Sequence, residues 1–131
     1  MSGAQAIENM QAFVVAFQGG DLARARSYWS EDATLHMSGN NRLAGDYVGT
    51  DRMLKVMAEV NAAASGFRYE PIDILANDDY LAMIMRFTGE HDGEQVDMRV
   101  AIADRVDENG KFAEGWYLPE DQDAFDRILG R

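Results

Sequence analysis

The chain of 131 residues contains no cysteine, two prolines and two histidines. Without cysteine it cannot form disulfides, use a thiol nucleophile or bind a metal through thiolates. We find no N-terminal basic and apolar signal, and no apolar run approaches the roughly 18 residues needed to cross a membrane. The sequence therefore predicts a soluble cytoplasmic protein with no membrane partner.

Basic residues are also scarce, because 12 Lys and Arg stand against 23 Asp and Glu, giving a net charge of −11. Phosphate backbones would be repelled, so nucleic acid is not an expected partner. The histidines, His36 and His91, are far apart and lack the spacing of metal ligands. No glycine-rich phosphate loop or nucleophile elbow is present. We therefore predict no metal and no cofactor.

Hydrophobic residues make up 47% of the sequence, which is enough for a core within one domain spanning residues 1–131. Three segments show the apolar spacing of amphipathic helices. The first ends at Gly19-Gly20, the second follows Asp21 and carries Tyr28 and Trp29, and the third begins at Thr50, which we expect to cap it.

The second half of the chain favours strands, in the ranges 67–76, 80–91, 95–106 and 111–118, after an earlier short strand at 33–37. Asp92-Gly93 is a strong hairpin signal. A short helix with an apolar side follows Glu120. Helices followed by an antiparallel meander predict an α+β fold with helices on one face of a sheet.

Period-two alternation puts one charged and three apolar side chains on one face of the last strand: Phe112, Glu114, Trp116 and Leu118. A carboxylate on such a face either has a buried partner or points into a cavity. Glu114 therefore stands out, although pairing with Arg99 or Arg105 would also explain it. His36 has two interpretations as well, a pocket residue or a half-buried strand histidine.

Several of these residues, in this order, resemble a known family: Trp29-Ser30-Glu31-Asp32-Ala33, His36, Gly39, Ala44-Gly45-Asp46-Tyr47 and Gly49, followed by a helix. The chain resembles the SnoaL-like and ketosteroid-isomerase-like members of the nuclear transport factor 2 superfamily. The resemblance implies a curved antiparallel sheet that forms a cone with three to four helices, a cystatin-like α+β barrel, around an apolar pocket. It also implies polar pocket residues near Asp97 and at Glu114 and Trp116.

On this basis one apolar pocket is expected to contain the candidate site. The candidate catalytic residues are His36, Asp97, Glu114 and Asp121, and the candidate ligand-binding residues are Tyr47, Arg99 and Trp116. The family includes cofactor-independent isomerases, cyclases and hydrolases of apolar molecules, so an acid–base enzyme is one hypothesis. A non-catalytic binder of an apolar metabolite and a protein-association module are the others.

A homodimer is expected as well, because helices on one side of a sheet leave the other side uncovered. Met98, Val100 and Ile102, or their neighbours on the opposite face, would supply the apolar area.

Overall fold

A computed structural model describes residues 2–131 of the chain. Within these residues the chain forms four helices and six strands. The helices are α1 (Gly3–Gln18), α2 (Leu22–Arg26), α3 (Thr50–Ala63) and α4 (Gln122–Leu129). The strands are β1 (Trp29–Met37), β2 (Gly45–Val48), β3 (Arg68–Ala76), β4 (Tyr80–His91), β5 (Glu94–Val106) and β6 (Phe112–Pro119).

The strands form one curved sheet in the order β2-β1-β6-β5-β4-β3. Neighbouring strands are antiparallel except β1 and β6, which pair in parallel and so join the first strand to the last. Asp92, with a positive φ of 50°, and Gly93 form the predicted hairpin turn between β4 and β5. The predicted α+β cone with helices on one face of the sheet is confirmed.

One face of the sheet, here called the inner face, carries the core, and its residues include Leu81, Phe87 and Val100. Helix α1 packs there through Ala6, Met10, Phe13 and Ala16, which recur at helical spacing and are buried. Helix α4 packs there too, since Phe125 contacts Phe87 with ring centroids 6.1 Å apart. The opposite face, here called the outer face, carries alternate residues such as Arg86, Asp97 and Glu114.

Two local predictions are wrong at helix ends. Thr50 does not cap α3, because Gly49 is the N-cap and the buried Thr50 hydroxyl donates to the carbonyl of Ser30 at 2.6 Å. The second helix ends at Arg26, so Trp29 begins β1 instead of extending a helix. Aromatic side chains can pack into a core from a strand or from a helix. Tertiary contacts therefore decide that Trp29 belongs to a strand.

A bulge near the start of β6 changes which face its side chains occupy. Phe112 pairs with Val106 and is fully buried, whereas Glu114 pairs with Arg105, so Ala113 is an extra residue. Strict alternation from Phe112 therefore assigns the wrong face. Glu114, Trp116 and Leu118 share the outer face, while Gly115 and Tyr117 point inwards.

Helix α4 is tied to the loop after β1 by Asp126, which is only 2% exposed. Its carboxylate accepts hydrogen bonds from the Asn40 backbone N–H, Asn41 Nδ2 and Gln122 Nε2 at 3.0, 2.7 and 2.9 Å. Gly39 lies against the same network, where an added Cβ would come within 2.2 Å of Asp126 Oδ1. Burial alone would raise the pKa of Asp126, but these donors outweigh it and lower that pKa.

None of the helices between residues 2 and 131 has both the length and the apolar character required to traverse a lipid bilayer.

Candidate functional site

A cavity of about 140 Å³ lies between the helices and the inner face of the sheet. Its lining comes from α1, α3 and five of the strands: Met10, Phe13, Val14, Phe17, Gln18, Trp29, Met57, Asn61, Tyr69, Met83, Met85, Ile102, Asp104 and Tyr117. Gln18 and Asn61 are exposed, so the cavity meets the surface between α1 and α3. A cavity of similar size, about 150 Å³, can hold benzene.

Flexible methionine side chains form part of the cavity wall. Met10, Met57, Met83 and Met85 supply four unbranched thioether side chains to the lining. Such side chains change rotamer at little cost and let a cavity fit ligands of different outline. The resting volume is therefore a lower bound on what the site can accommodate.

In the part of the chain that the structure describes, Asp104 is the one carboxylate that lines the cavity. It is 1% exposed, and neither carboxylate oxygen has a hydrogen-bond partner within residues 2–131. Burial disfavours the charged form, and this raises the pKa of Asp104 from 3.8 to about 8. The group therefore holds its proton at neutral pH and can exchange it close to neutrality.

The neighbouring strands explain why an acid fits at this position. Asp104 pairs with Leu81 of β4 and with Gly115 of β6. A Cβ at position 115 would lie 2.8 Å from Asp104 Oδ1, so the glycine leaves the space that the carboxyl group occupies. A larger residue at position 115 would displace the acid.

Two tyrosines share this end of the cavity with Asp104. The side chain of Tyr117 interacts electrostatically with both Tyr69 and Asp104, which places the three ionisable groups near one another. Burial raises the pKa of Tyr69 to about 12 and also raises the pKa of Tyr117. Both phenols are therefore neutral hydroxyl groups at physiological pH.

The residues predicted as the site do not line this cavity. Strands expose alternate residues to opposite faces, and the predicted pocket residues of β1, β5 and β6 lie on the outer face. The expectation that His36, Tyr47, Asp97, Glu114 and Trp116 line one apolar pocket, with Asp121 near its rim, does not hold for this cavity. Their assignment to catalysis or ligand binding remains a prediction that their position alone does not test.

Three of those residues nevertheless come together on the outer face. His36 Nδ1 lies 2.6 Å from Asp46 Oδ1, and His36 Nε2 lies 2.6 Å from Glu114 Oε2. Trp116 stacks on the imidazole with ring centroids 5.3 Å apart. Arg105 Nε donates to Glu114 Oε1 at 3.1 Å, which is one of the two partners predicted for this acid.

The electrostatics of this cluster favour a charged histidine. Carboxylates only accept hydrogen bonds, so the two short contacts are best satisfied when both ring nitrogens of His36 donate. Partial burial acts to lower the pKa of His36, but the bonds and charges of Asp46 and Glu114 outweigh it and raise that pKa. The hydrogen bond from His36 is the main cause of a lowered pKa for Glu114.

Of the remaining predicted residues, Asp97 and Arg99 share a groove on the outer face, which Tyr47 and Asp121 do not line. Asp97 is exposed and pairs with Arg86 at 2.7 Å, and this partner is the main cause of its lowered pKa. Arg99 Nη1 lies 3.8 Å from Glu120 Oε2. Asp121 caps α4 by accepting from the Ala124 N–H at 3.0 Å. The hydroxyl of Tyr47 donates to the Leu43 carbonyl at 2.9 Å.

A signal for Asp104 was present in the sequence. Met98, Val100, Ile102 and Val106 alternate along β5 and are apolar, and Asp104 is the charged residue that interrupts this series. This criterion singled out Glu114 on β6, where the bulge misleads it. Among residues 2–131, no three His, Asp or Glu side chains are grouped so that they could hold a metal ion.

Residues 10–115 match the sequence pattern of the SnoaL-like domain. Among solved structures, Bal32a from a soil-derived mobile gene cassette is 26% identical, with a TM-score of 0.81 over 97% of this chain and 98% of that chain. An NTF2-like protein from Burkholderia xenovorans LB400 is 19% identical, with a TM-score of 0.80 and 99% of each chain covered.

A third similar structure is IdmH from Streptomyces antibioticus, a candidate polyketide cyclase. It is 20% identical, with a TM-score of 0.67 over 95% of this chain and 97% of that chain. No curated protein is detectably similar to the chain.

Proposed function

Because the chain belongs to the SnoaL-like domain family, we propose that its cavity binds a small, mostly apolar molecule and that Asp104 exchanges a proton with it. The protein would then be an acid–base enzyme that needs no cofactor, of the isomerase, cyclase or hydrolase type. The observation that carries the proposal is the buried carboxyl group of Asp104, which has no partner within residues 2–131.

An unpartnered acid in this position costs the fold stability, so a structural role does not explain it. Buried polar groups are almost always hydrogen-bonded, and a buried charge without a partner is more costly still. In its neutral form the Asp104 carboxyl can donate a hydrogen bond to a ligand oxygen that becomes negative during reaction. With a pKa of about 8 it can also transfer that proton close to physiological pH.

The cavity also limits the size and character of the ligand. About 140 Å³ admits a single small ring, or the end of a longer molecule that extends past Gln18 and Asn61. Most of the lining side chains are apolar or aromatic. The fold also occurs in IdmH, a candidate polyketide cyclase, which supports a ring-forming or ring-modifying reaction.

Two carboxyl variants test the proposal against the site predicted from the sequence. Asp104→Asn removes the acid from the cavity and keeps its shape, whereas Glu114→Gln does the same on the outer face. The protein is incubated in deuterium oxide with small cyclic ketones, enones and lactones, and proton NMR follows deuterium exchange, double-bond migration and ring opening. We expect Asp104→Asn to lose at least about 10²-fold in rate and Glu114→Gln to retain it.

If only Glu114→Gln lost its reaction rate, the catalytic residues would instead be His36 and Glu114 on the outer face. Binding of these compounds without turnover in the wild-type protein would favour the alternative of a non-catalytic binder. In that case Asp104→Asn would keep most of its affinity for a neutral ligand.

The uncovered outer face supports the further proposal of a homodimer. Its centre is a strip of small and apolar side chains that face each other across β4, β5 and β6: Ala82, Ile84, Ala101, Ala103, Trp116 and Leu118. Met98, Val100 and Ile102, which were alternatives for this role, point inwards.

Charges of both signs surround that strip, including the pairs of Arg86 with Asp97 and Arg105 with Glu114. A mixed rim lets two copies of a chain with net charge −11 approach on this face with little repulsion. Light scattering should give twice 14.6 kDa, and Ala103→Arg should halve the mass. A wild-type mass near 14.6 kDa at tens of micromolar would count against the dimer.

A further inference from the structure

Two cavity-lining residues carry most of the buried polar atoms that lack a partner in residues 2–131. Within residues 2–131, four buried side-chain atoms lack a hydrogen-bond partner: Trp29 Nε1, Ser30 Oγ and both carboxylate oxygens of Asp104. Three of these atoms belong to Trp29 and Asp104, which line the cavity. Such atoms are rare in folded proteins, so their coincidence at one cavity calls for a partner that comes from outside the chain.

Trp29 cannot satisfy its N–H by moving. The residue is 4% exposed, and its ring lies between those of Phe13 and Phe112, with centroid distances of 5.5 and 5.3 Å. The edge of the same ring lies close to position 115, where the Cη2 atom would be 3.6 Å from an added Cβ. The indole N–H is a donor only, so the missing partner must be an acceptor.

The charges around the cavity restrict that acceptor. Among residues 2–131, no Lys, Arg or His lines the cavity, so no cationic side chain is available to pair with an anionic ligand. The net charge of −11 disfavours anions further. Asp104 could pair with a cationic ligand only by losing its proton, whereas a neutral ligand leaves that proton in place. A neutral acceptor suits the cavity better than either ion.

We propose that Trp29 is a ligand-binding residue. Its ligand is an uncharged molecule, apolar over most of its surface, with an oxygen that accepts a hydrogen bond from the indole N–H group. Carbonyl, ether and hydroxyl oxygens all have the required chemistry. The inference rests on the proposed function in one respect, since both require the cavity to admit a small molecule. It adds a residue and a ligand class that do not depend on whether the protein is catalytic.

The two tryptophans of the chain make a direct test possible, because Trp29 lies in the cavity and Trp116 on the outer face. With 15N-labelled tryptophan, the indole N–H groups give two NMR signals, which Trp116→Phe assigns without touching the cavity. The probes are cyclohexanone, methylenecyclohexane, which has the same shape without an acceptor oxygen, and cyclohexylamine. None of them has an aromatic ring current that would confuse the shifts.

With cyclohexanone we expect the Trp29 N–H proton to move downfield and the Trp116 signal to stay in place. Methylenecyclohexane should shift the methyl signals of the cavity methionines without this downfield change. Cyclohexanone should also bind about tenfold more tightly than the hydrocarbon, as expected when one buried donor gains a partner. That preference should vanish in Trp29→Phe and persist in Trp116→Phe.

Three results would overturn the inference. If cyclohexanone shifts the methionine methyl signals and leaves the Trp29 N–H unmoved, Trp29 is not a ligand donor, although the cavity still binds small molecules. If cyclohexylamine binds more tightly than cyclohexanone and Asp104→Asn abolishes that preference, the ligand class is cationic. If none of the probes changes either group of signals, the inference fails together with the proposed small-molecule site. The NMR experiment uses the unmodified cavity, so it remains decisive if Trp29→Phe does not fold.

Discussion

Asp104 and Gly115 face each other across β5 and β6, and Oδ1 of Asp104 lies 2.8 Å from the position that a Cβ at residue 115 would occupy. The inner face of the sheet therefore has room for this acid because its neighbour has no side chain. The pair links local sequence to the chemistry of the cavity, since a glycine on one strand permits a buried acid on the next.

Replacing this glycine tests the link. Gly115→Ala should lower the free energy of unfolding by about 1–3 kcal/mol, because the new methyl group overlaps the carboxyl group. In an Asp104→Ala background the same change should cost clearly less, since Oδ1 is absent. Urea unfolding of the four proteins measures this coupling. Equal costs in both backgrounds would show that the two residues do not interact.

Gly66→Ala is the matched control for that experiment. Gly66 is exposed, and an added Cβ there would meet no atom within 4 Å. We expect its substitution to change the free energy of unfolding by about 0.5 kcal/mol or less.

Asp104 should make the protein less stable as the pH rises. The folded state binds this proton with a pKa of about 8, well above the value of 3.8 of an ordinary aspartate. Between these values the folded state holds the extra proton, so raising the pH favours unfolding, by about 1.4 kcal/mol per pH unit. Asp104→Asn should remove this slope and be the more stable protein at pH 8.

Denaturant unfolding of wild type and Asp104→Asn across this pH range measures the effect. Glu114→Gln provides the comparison, because its carboxyl group is on the outer face and has a lowered pKa. It should leave the slope from Asp104 intact. Parallel curves for wild type and Asp104→Asn would mean that Asp104 is ionised or paired in the folded protein.

The sequence was sufficient to predict the fold and most of its elements, but not β2 or the face on which each candidate side chain lies. Helical spacing and the Asp92-Gly93 turn are local signals, and the structure has both. The face of Glu114 depends on an extra residue in β6, and a bulge of that kind is set by pairing with β5. A single slip in alternation moves every later side chain to the opposite face.

His36 should contribute stability at acidic pH. Its folded-state pKa is raised above 6.5, so the contribution is fully present below that value and is lost as the pH rises through the raised pKa. His36→Asn should therefore be destabilised by about 1 kcal/mol at low pH and less at high pH, since the bridge is partly exposed.

Thermal unfolding at several pH values measures this difference. His91→Asn is the control, because His91 has one longer contact of 3.4 Å with the exposed Asp92. It should show a smaller effect. If the loss of stability caused by His36→Asn grew with pH, it would contradict a charged His36 that donates hydrogen bonds to both Asp46 and Glu114.

Asp126 should be a major determinant of how α4 is held. Asp126→Ala removes the shared charged acceptor of three partly buried hydrogen bonds, so we expect a loss of about 2–4 kcal/mol. Asp123→Ala, on the exposed side of the same helix, removes a 3.6 Å contact with Arg131 and should cost less than about 1 kcal/mol. Similar losses for both variants would show that the loop after β1 does not depend on Asp126.

The cavity could not be predicted from sequence patterns, because it depends on contacts between residues that are far apart in the chain. Trp29 and Asp104 are far apart in the chain, and only the closure of the sheet through the parallel pairing of β1 with β6 brings their strands to one cavity. Pocket volume depends on how α1 and α3 pack over that sheet. The alternation of apolar residues around Asp104 could be recognised in the sequence. Whether Asp104 is buried could not be inferred from it, because the sequence does not show which face of the sheet the helices cover.

Titration of the Asp104 side chain tests most directly whether this group is a buried, unpaired acid. With 13C-labelled aspartate, NMR follows the carboxyl carbons from about pH 3 to about pH 10, and Asp104→Asn identifies the relevant signal. We expect a midpoint near 8, which shifts when cyclohexanone fills the cavity. A midpoint at or below about 4, unchanged by the ligand, would show an ordinary ionised carboxylate and contradict the proposed site.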